Sequence, residues 1–356
     1  MKKRWQLMLA MIALMPAVAK AEQTNVQLLK GMTDQELQRT MNMMRGSLGV
    51  HCDFCHVTEE GKGWDFSKDD KQPKKTARTM IKMVMDLNKN NFEGQPRISC
   101  FTCHQGATRP NGIISLPQTA PPFPTVVPAR VTPDMPSAEQ VLDKYVEALG
   151  GQAAIDRLTS RAVKGTAVTW DKKELAFESV QTAPGRFFMQ TVAPQGPIQR
   201  AFDGKSGWFK GPRGVVRDLN PAESAEASRA ADLFAEIKLK ERYPGLKLIG
   251  KQSVNDRDAW ILMAVGPNGK VERFLFDAQS ALLVRHVTMS PTAIGMVPEQ
   301  EDFEDYRDVD GLKEPFKLTS SFVDPWIGQT LRISEVSHNV AVDASKFQRP
   351  PDAPKP

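Results

Sequence analysis

The sequence predicts a multi-domain chain: a mainly helical N-terminal domain followed by an α+β antiparallel half-barrel domain. Three observations carry this expectation. Apolar residues ahead of Pro117 recur at helical spacing, a proline-rich stretch runs over residues 117–136, and strand-like runs separated by turn residues follow it. A chain of 356 residues suits about two domains.

The chain opens with Met1-Lys2-Lys3-Arg4, continues with an apolar run over residues 5–18, and reaches Ala19-Lys20-Ala21 before Glu22. A cationic start, an apolar core and an A-x-A exit are the parts of a secretory signal peptide, so residues 1–21 are expected to be removed on export to the periplasm. The apolar run is too short to span a bilayer, and membrane association is expected only through a partner. The whole chain carries 47 Lys and Arg against 42 Asp and Glu. Removing Lys2, Lys3, Arg4 and Lys20 with the leader leaves 43 against 42, and this balance excludes a charge-driven nucleic-acid binder.

Residues 22–116 form the expected helical domain. The spacing predicts a helix over 33–48, where Thr33 and Glu36 make a capping-box signature and Leu37, Met41, Met44 and Leu48 form one stripe. A second helix is predicted over 74–88, with Ala77, Met80, Ile81, Val84 and Leu87 on one face. Each helix is followed by the same pattern, Cys52-Asp53-Phe54-Cys55-His56 and Cys100-Phe101-Thr102-Cys103-His104. Cys-x-x-Cys-His is the attachment pattern of c-type haem. Two thiols three positions apart on a tight turn can reach the two vinyl groups on one macrocycle edge, and the next residue can offer a ring nitrogen to iron. The two motifs consume all four cysteines. A zinc site built from the two Cys-x-x-Cys pairs, or a redox dithiol, leaves the histidine after each pair unexplained.

Two covalently bound haems c are therefore expected, held by Cys52, Cys55 and His56 and by Cys100, Cys103 and His104. A sixth ligand would come from methionine or histidine. Helical phase puts Met41 and Met44 on the apolar face for the first haem and points Met43 away. For the second haem, Met80 and Met83 lie near one face and Met85 lies off it. Phase alone leaves each pair open. His51 could reach the other iron but reads better as solvated, and His286 and His338 read as structural or exposed.

The linker over 117–136 is expected to be extended. Residues 137–349 are expected to form the half-barrel domain, and 350–356 a proline-rich tail. A helix capped by Ser137 and Gln140 ends at Gly150-Gly151. Strands are expected over 162–170, 174–182, 186–192, 214–219, 246–254, 259–265, 271–276, 281–289, 316–322 and 330–336, with one helix over 222–242. Phe202-Asp203-Gly204 and Gly207-Trp208 read as a hairpin with an aromatic packed beneath. No Ser/His/Asp grouping and no phosphate-cradling glycine loop is apparent.

Residues 47–56, 76–88 and 100–110 resemble the cytochrome c subunit of photosynthetic reaction centres, with helices, motifs and connectors in the same order. The likeness covers residues 26–117. That family binds four haems and feeds electrons to the photo-oxidised pigment pair, so the resemblance implies an electron carrier. It places the sixth ligands at Met41 and Met80, with Met44 and Met83 as fallbacks. The presence of two motifs implies half of the four-haem array, serving photosynthesis or respiration. Residues 137–349 resemble the periplasmic lipoprotein-carrier half-barrel, on residues 137–151, Phe202-Asp203-Gly204 with Trp208, and Phe303-Glu304-Asp305-Tyr306 ahead of Asp310-Gly311. That likeness implies an apolar ligand in the concave face. The expected partner is a redox protein or a membrane electron-transfer complex, with no catalytic residues and no nucleic acid. The alternatives are a haem peroxidase or reductase with one open iron, and a lipid- or quinone-binding module coupled to the haems.

Overall fold

The computed structural model describes residues 25–59, 63–110, 112, 135–212, 214–233, 235, 237–266 and 269–351. The expected signal peptide, most of the linker (117–134) and the end of the tail (352–356) lie outside the described residues.

Helix α1 (Asp34–Leu48) begins as its cap dictates. The Thr33 hydroxyl accepts from the Glu36 amide, and the Glu36 carboxylate accepts from the Thr33 amide at 2.8 Å. The helix ends on left-handed Gly49. A short hairpin, β1 (Val57–Glu59) and β2 (Gly63–Asp65), follows the first motif and has no counterpart in the sequence expectation. Helix α2 (Gln72–Asn91) extends beyond 74–88 at both ends, with Pro73 in its first turn. Helix α3 (Cys100–His104) is the second motif itself.

Beyond residue 135 come α4 (Ala138–Leu149), α5 (Gln152–Ile155), β3 (Ser160–Thr169), β4 (Glu174–Thr182), β5 (Arg186–Ala193), β6 (Gly196–Phe202), β7 (Gly207–Lys210) and β8 (Val216–Asp218). Two helices follow, α6 (Pro221–Ala230) and α7 (Leu239–Arg242). The chain closes with β9 (Lys247–Val254), β10 (Arg257–Val265), β11 (Val271–Asp277), β12 (Leu283–Thr292), β13 (Gly295–Val309), β14 (Leu312–Phe322) and β15 (Gln329–His338). Strands β3 to β15 form one antiparallel sheet in the order β8-β7-β6-β5-β4-β3-β15-β14-β13-β12-β11-β10-β9. The meander runs out to one edge, crosses by α6 and α7, and returns from the other edge until β15 pairs with β3.

A twisted sheet this wide curls, and its concave face is filled by the chain's own helices. Val141, Leu142 and Tyr145 of α4 and Ala227 and Ala230 of α6 share a core with Phe187, Met189, Phe276 and Phe303 of the strands. Phe188 points the other way, to a layer with Trp208 and Phe347, as strand alternation requires. The space left on the concave side is about 180 Å³, below the roughly 300 Å³ at which ligand sites begin. Each of the ten expected strand runs forms a strand. The β6–β7 turn places Trp208 beneath it, 5% exposed, with its indole N–H donating to the Phe347 carbonyl at 3.1 Å. The single helix expected over 222–242 is instead two. The chain turns after Ala230 so that Leu233 joins Ile155 and Leu158 while Leu239 joins the main core.

The N-terminal region is packed against this sheet. The tip between β12 and β13 enters between α1, α2 and α3, where Ile294 is fully buried with Met43, Ile81, Val84 and Cys100. Glycine is required there: Gly295 has φ +139°, and a Cβ on it would lie 2.6 Å from both Met43 and Ser99. Arg39 of α1 reaches Glu226 of α6 at 3.0 Å and Glu299 of β13 at 3.1 Å.

Candidate functional site

The first motif follows α1 directly. Cys52–Phe54 forms a 3-10 turn, and the His56 amide donates to the Cys52 carbonyl at 2.9 Å. The turn puts Cys52, Cys55 and His56 on the wall of a cavity of about 690 Å³. Met41 and Met44 of α1 line the same cavity. Met43 is on the opposite side of α1 and is 3% exposed against the sheet. Helix α1 is thus apolar on two faces, one toward the cavity and one toward the β12–β13 tip.

The floor of the cavity is organised by α2. The Lys74 ammonium donates to the carbonyls of Phe66 and Lys68 at 2.8 and 2.6 Å and pairs with Asp69. Arg78 grips the same carboxylate with both guanidinium nitrogens. These bonds hold Phe66 edge-on to the His56 ring at 4.8 Å. Burial, and then the cations of Lys74, Lys71 and Arg78, push the His56 imidazole down to about 4. At neutral pH the ring is therefore neutral, the form that offers a lone pair to a metal. Its Nδ1 is buried without a hydrogen-bond partner. Burial also raises the thiols of Cys52 and Cys55.

The second motif lies on α3, which packs on α1. The Gly106 amide donates to the Ser47 carbonyl at 2.9 Å. His104 Nδ1 lies 2.9 Å from the Ala107 carbonyl, so the ring orientation is fixed and Nε2 is left for another partner. Cys100 is buried and its thiol is raised by burial, whereas Cys103 is exposed. Helical phase puts Met80, Met83 and Leu87 on one flank of α2. Met83 and Leu87 are 43% and 38% exposed, and Phe101 of the motif is 55% exposed. Apolar side chains left open beside an attachment motif are what a flat apolar group would cover. Met85 lies off that flank, against the shared core.

Both motifs therefore fit a covalently attached haem: the thiols lie one turn apart, a histidine follows, and apolar side chains adjoin. All four cysteines are free thiols. Among the described residues no group of three or more His, Cys, Asp or Glu side chains is placed to hold a metal ion, so the two Cys-x-x-Cys pairs do not converge on a zinc site.

The sheet supplies cavity residues that sequence reasoning missed. Trp170, Leu175, Ile198 and Trp326 also line the first cavity. Trp326 stacks on His51 at 4.2 Å and lies under the Arg45 guanidinium at 5.1 Å. Arg45 pairs at 2.5 Å with Asp324, whose carboxyl is fully buried and is raised by that burial against the pull of Arg45. His51, expected to be solvated, is exposed yet held at the cavity edge by these contacts. His286 and His338 are structural. His286 stacks on Phe274 at 4.5 Å, and His338 Nε2 sits 2.9 Å from Glu314.

A family model described as the photosynthetic reaction centre cytochrome C subunit matches residues 10–131. The photosynthetic reaction center cytochrome c subunit of Rubrivivax gelatinosus is 32% identical over 113 residues, covering 27% of this chain and 29% of that one. Cytochrome c-554 of Chloroflexus aurantiacus is 33% identical over 95 residues, covering 25% and 21%. The chain thus spans less than a third of the length of these relatives. A LolA superfamily protein from Nitrosomonas europaea has a TM-score of 0.41 at 12% identity, covering 60% of this chain and 99% of that one. A putative outer membrane lipoprotein-sorting protein domain from Vibrio parahaemolyticus has a TM-score of 0.42 at 11% identity, covering 59% and 96%. The N-terminal region is similar to the reaction-centre cytochrome subunits, and the sheet region resembles LolA-superfamily structures in fold.

Proposed function

We propose that this chain is an exported c-type cytochrome that carries two haems and transfers electrons to or from a redox partner. The observation that carries the reading is the convergence of Cys52, Cys55, His56 and Met41 on one cavity of about 690 Å³. Covalently bound haem would supply a one-electron couple. Cys52 and Cys55 would anchor the first group, and His56 and Met41 would offer ligands to its iron. Cys100, Cys103, His104 and Met80 would do the same for the second. Ligation by methionine with histidine would raise the potential, as suits an electron carrier. The filled concave face of the sheet favours this reading over a lipid- or quinone-binding module. Relatives named as reaction-centre cytochrome subunits support a membrane electron-transfer complex as the partner. Among the described residues no helix is long and apolar enough to cross a membrane.

Carbon monoxide tests the ligation. The ferrous protein is expected to bind it slowly at both haems, and Met41→Ala and Met80→Ala are each expected to convert one haem to a fast-binding form. Rapid binding by the unaltered protein would point to a haem enzyme with an open iron. An unchanged spectrum in either variant would remove that methionine from the ligand set.

A further inference from the structure

We propose that the sheet region is a resident wall of the first haem site, enclosing the first haem between the two parts of the chain and leaving the second as the port for electron exchange. This rests on the two-haem reading and goes beyond it by giving the sheet a task.

The two motifs differ in their surroundings. The cavity at the first motif is lined by α1 and α2 and by the sheet, where the β3–β4 turn, the β5–β6 turn and residues 326–329 meet it. Trp170, at the β3–β4 turn, is 50% exposed for so large an apolar group. Leu175 and Ile198 are half-buried on the same wall. Trp170 shares this cavity with Met41 and Met44, and a contiguous exposed apolar lining of this kind marks a ligand-binding surface. The wall is also fixed in place. The fully buried carboxyl of Asp324 is locked to Arg45, Trp326 is clamped by Arg45 and His51, and Ile294 is wedged behind α1. A rigid apolar wall excludes water and lowers the local dielectric, which raises the potential of an enclosed iron. The sheet meets the back of the second motif, at Ser99 and Cys100, and leaves Cys103 and Phe101 exposed. A haem held by these residues would be left open to solvent and to a partner.

The test uses two full-length variants, each missing one attachment pair: Cys100→Ala with Cys103→Ala, and Cys52→Ala with Cys55→Ala. Both are reduced and mixed with ferricyanide. The chain that keeps the second haem is expected to be oxidised about tenfold faster than the chain that keeps the first. Adding Trp170→Ser and Trp326→Ala to the slower chain is expected to accelerate it. Equal rates, or no acceleration on opening the wall, would overturn the proposal. One haem per chain in each variant would then leave the two-haem reading intact, whereas loss of haem from both variants would deny that reading itself. If a paired cysteine variant does not fold, Trp170→Ser in the intact chain decides the matter, because a half-exposed turn residue can be replaced without loss of the sheet. One of the two steps in its redox titration should move to lower potential while the other stays; no movement overturns the proposal.

Discussion

Gly46→Ala sets two physical effects against each other. Gly46 lies inside α1, where alanine is ordinarily worth about 1 kcal/mol of added stability. A Cβ at this position, however, would lie 1.8 Å from the Val323 carbonyl oxygen and 2.6 Å from its carbon. Both atoms are backbone, so no rotamer relieves the contact. Real Cβ contacts do not fall below 3.0 Å, so α1 must retreat by at least 1.2 Å. Overpacking of this kind costs about 1–3 kcal/mol. The retreat also pulls Arg45 from the buried Asp324, and stranding one partner of a buried pair costs about 3–5 kcal/mol when the pair is lost outright. With part of that loss and the helix gain set against it, the net destabilisation is about 3 kcal/mol, a fall of about 5 °C in Tm for a chain of this size. Thermal unfolding followed by far-ultraviolet circular dichroism measures it. An unchanged or raised Tm would refute the docking of α1 on the segment after β14.

Two further outcomes concern the tip at Ile294 and the buried carboxyl of Glu314. Ile294→Ala is expected to cost about 3 kcal/mol, because a fully buried side chain leaves a cavity between α1, α2 and α3. Unfolding monitored at the haems and in the sheet should shift together, and a shift confined to the sheet would show that the tip is no part of the N-terminal core. The third outcome concerns Glu314, whose buried carboxyl is raised by burial but lowered more by Arg161 and His338, leaving it below its ordinary value of 4.5. A depressed folded value stabilises the fold above pH 4.5 and loses that contribution as pH falls toward the folded value. Glu314→Gln is expected to be less stable at pH 7 and to lose less stability below pH 4.5 than the unaltered protein. Denaturant midpoints against pH measure this, and parallel curves would contradict it.

Local chemistry explains which features are legible in the sequence. The capping box at Thr33 and Glu36 and the Cys-x-x-Cys-His turns involve residues within one turn of each other, so spacing alone locates them. Strand β13 is hidden because Glu299, Glu301, Asp302, Glu304, Asp305 and Asp308 make its sequence look like a solvated loop. Four of those carboxylates are matched by cations from other elements: Arg39 at Glu299, Arg285 at Asp302, Lys317 at Glu304 and Lys313 at Asp308. The same reason conceals the sheet's share of the first cavity. Trp170 reads as a turn aromatic until α1 and the sheet are brought together. Helical phase separates Met43 from Met41 and Met44 but cannot divide the last two, and both do line the cavity. Met80 and Met83 remain paired in the same way, and the choice between them is chemical.

The central claim is that two haems are covalently attached to this chain. Intact-mass measurement of the purified protein together with a pyridine haemochrome assay tests it directly. Two haems per polypeptide are expected, one lost with Cys52→Ala plus Cys55→Ala and the other with Cys100→Ala plus Cys103→Ala. A polypeptide carrying one haem or none, or one whose four cysteines remain free after maturation, contradicts it.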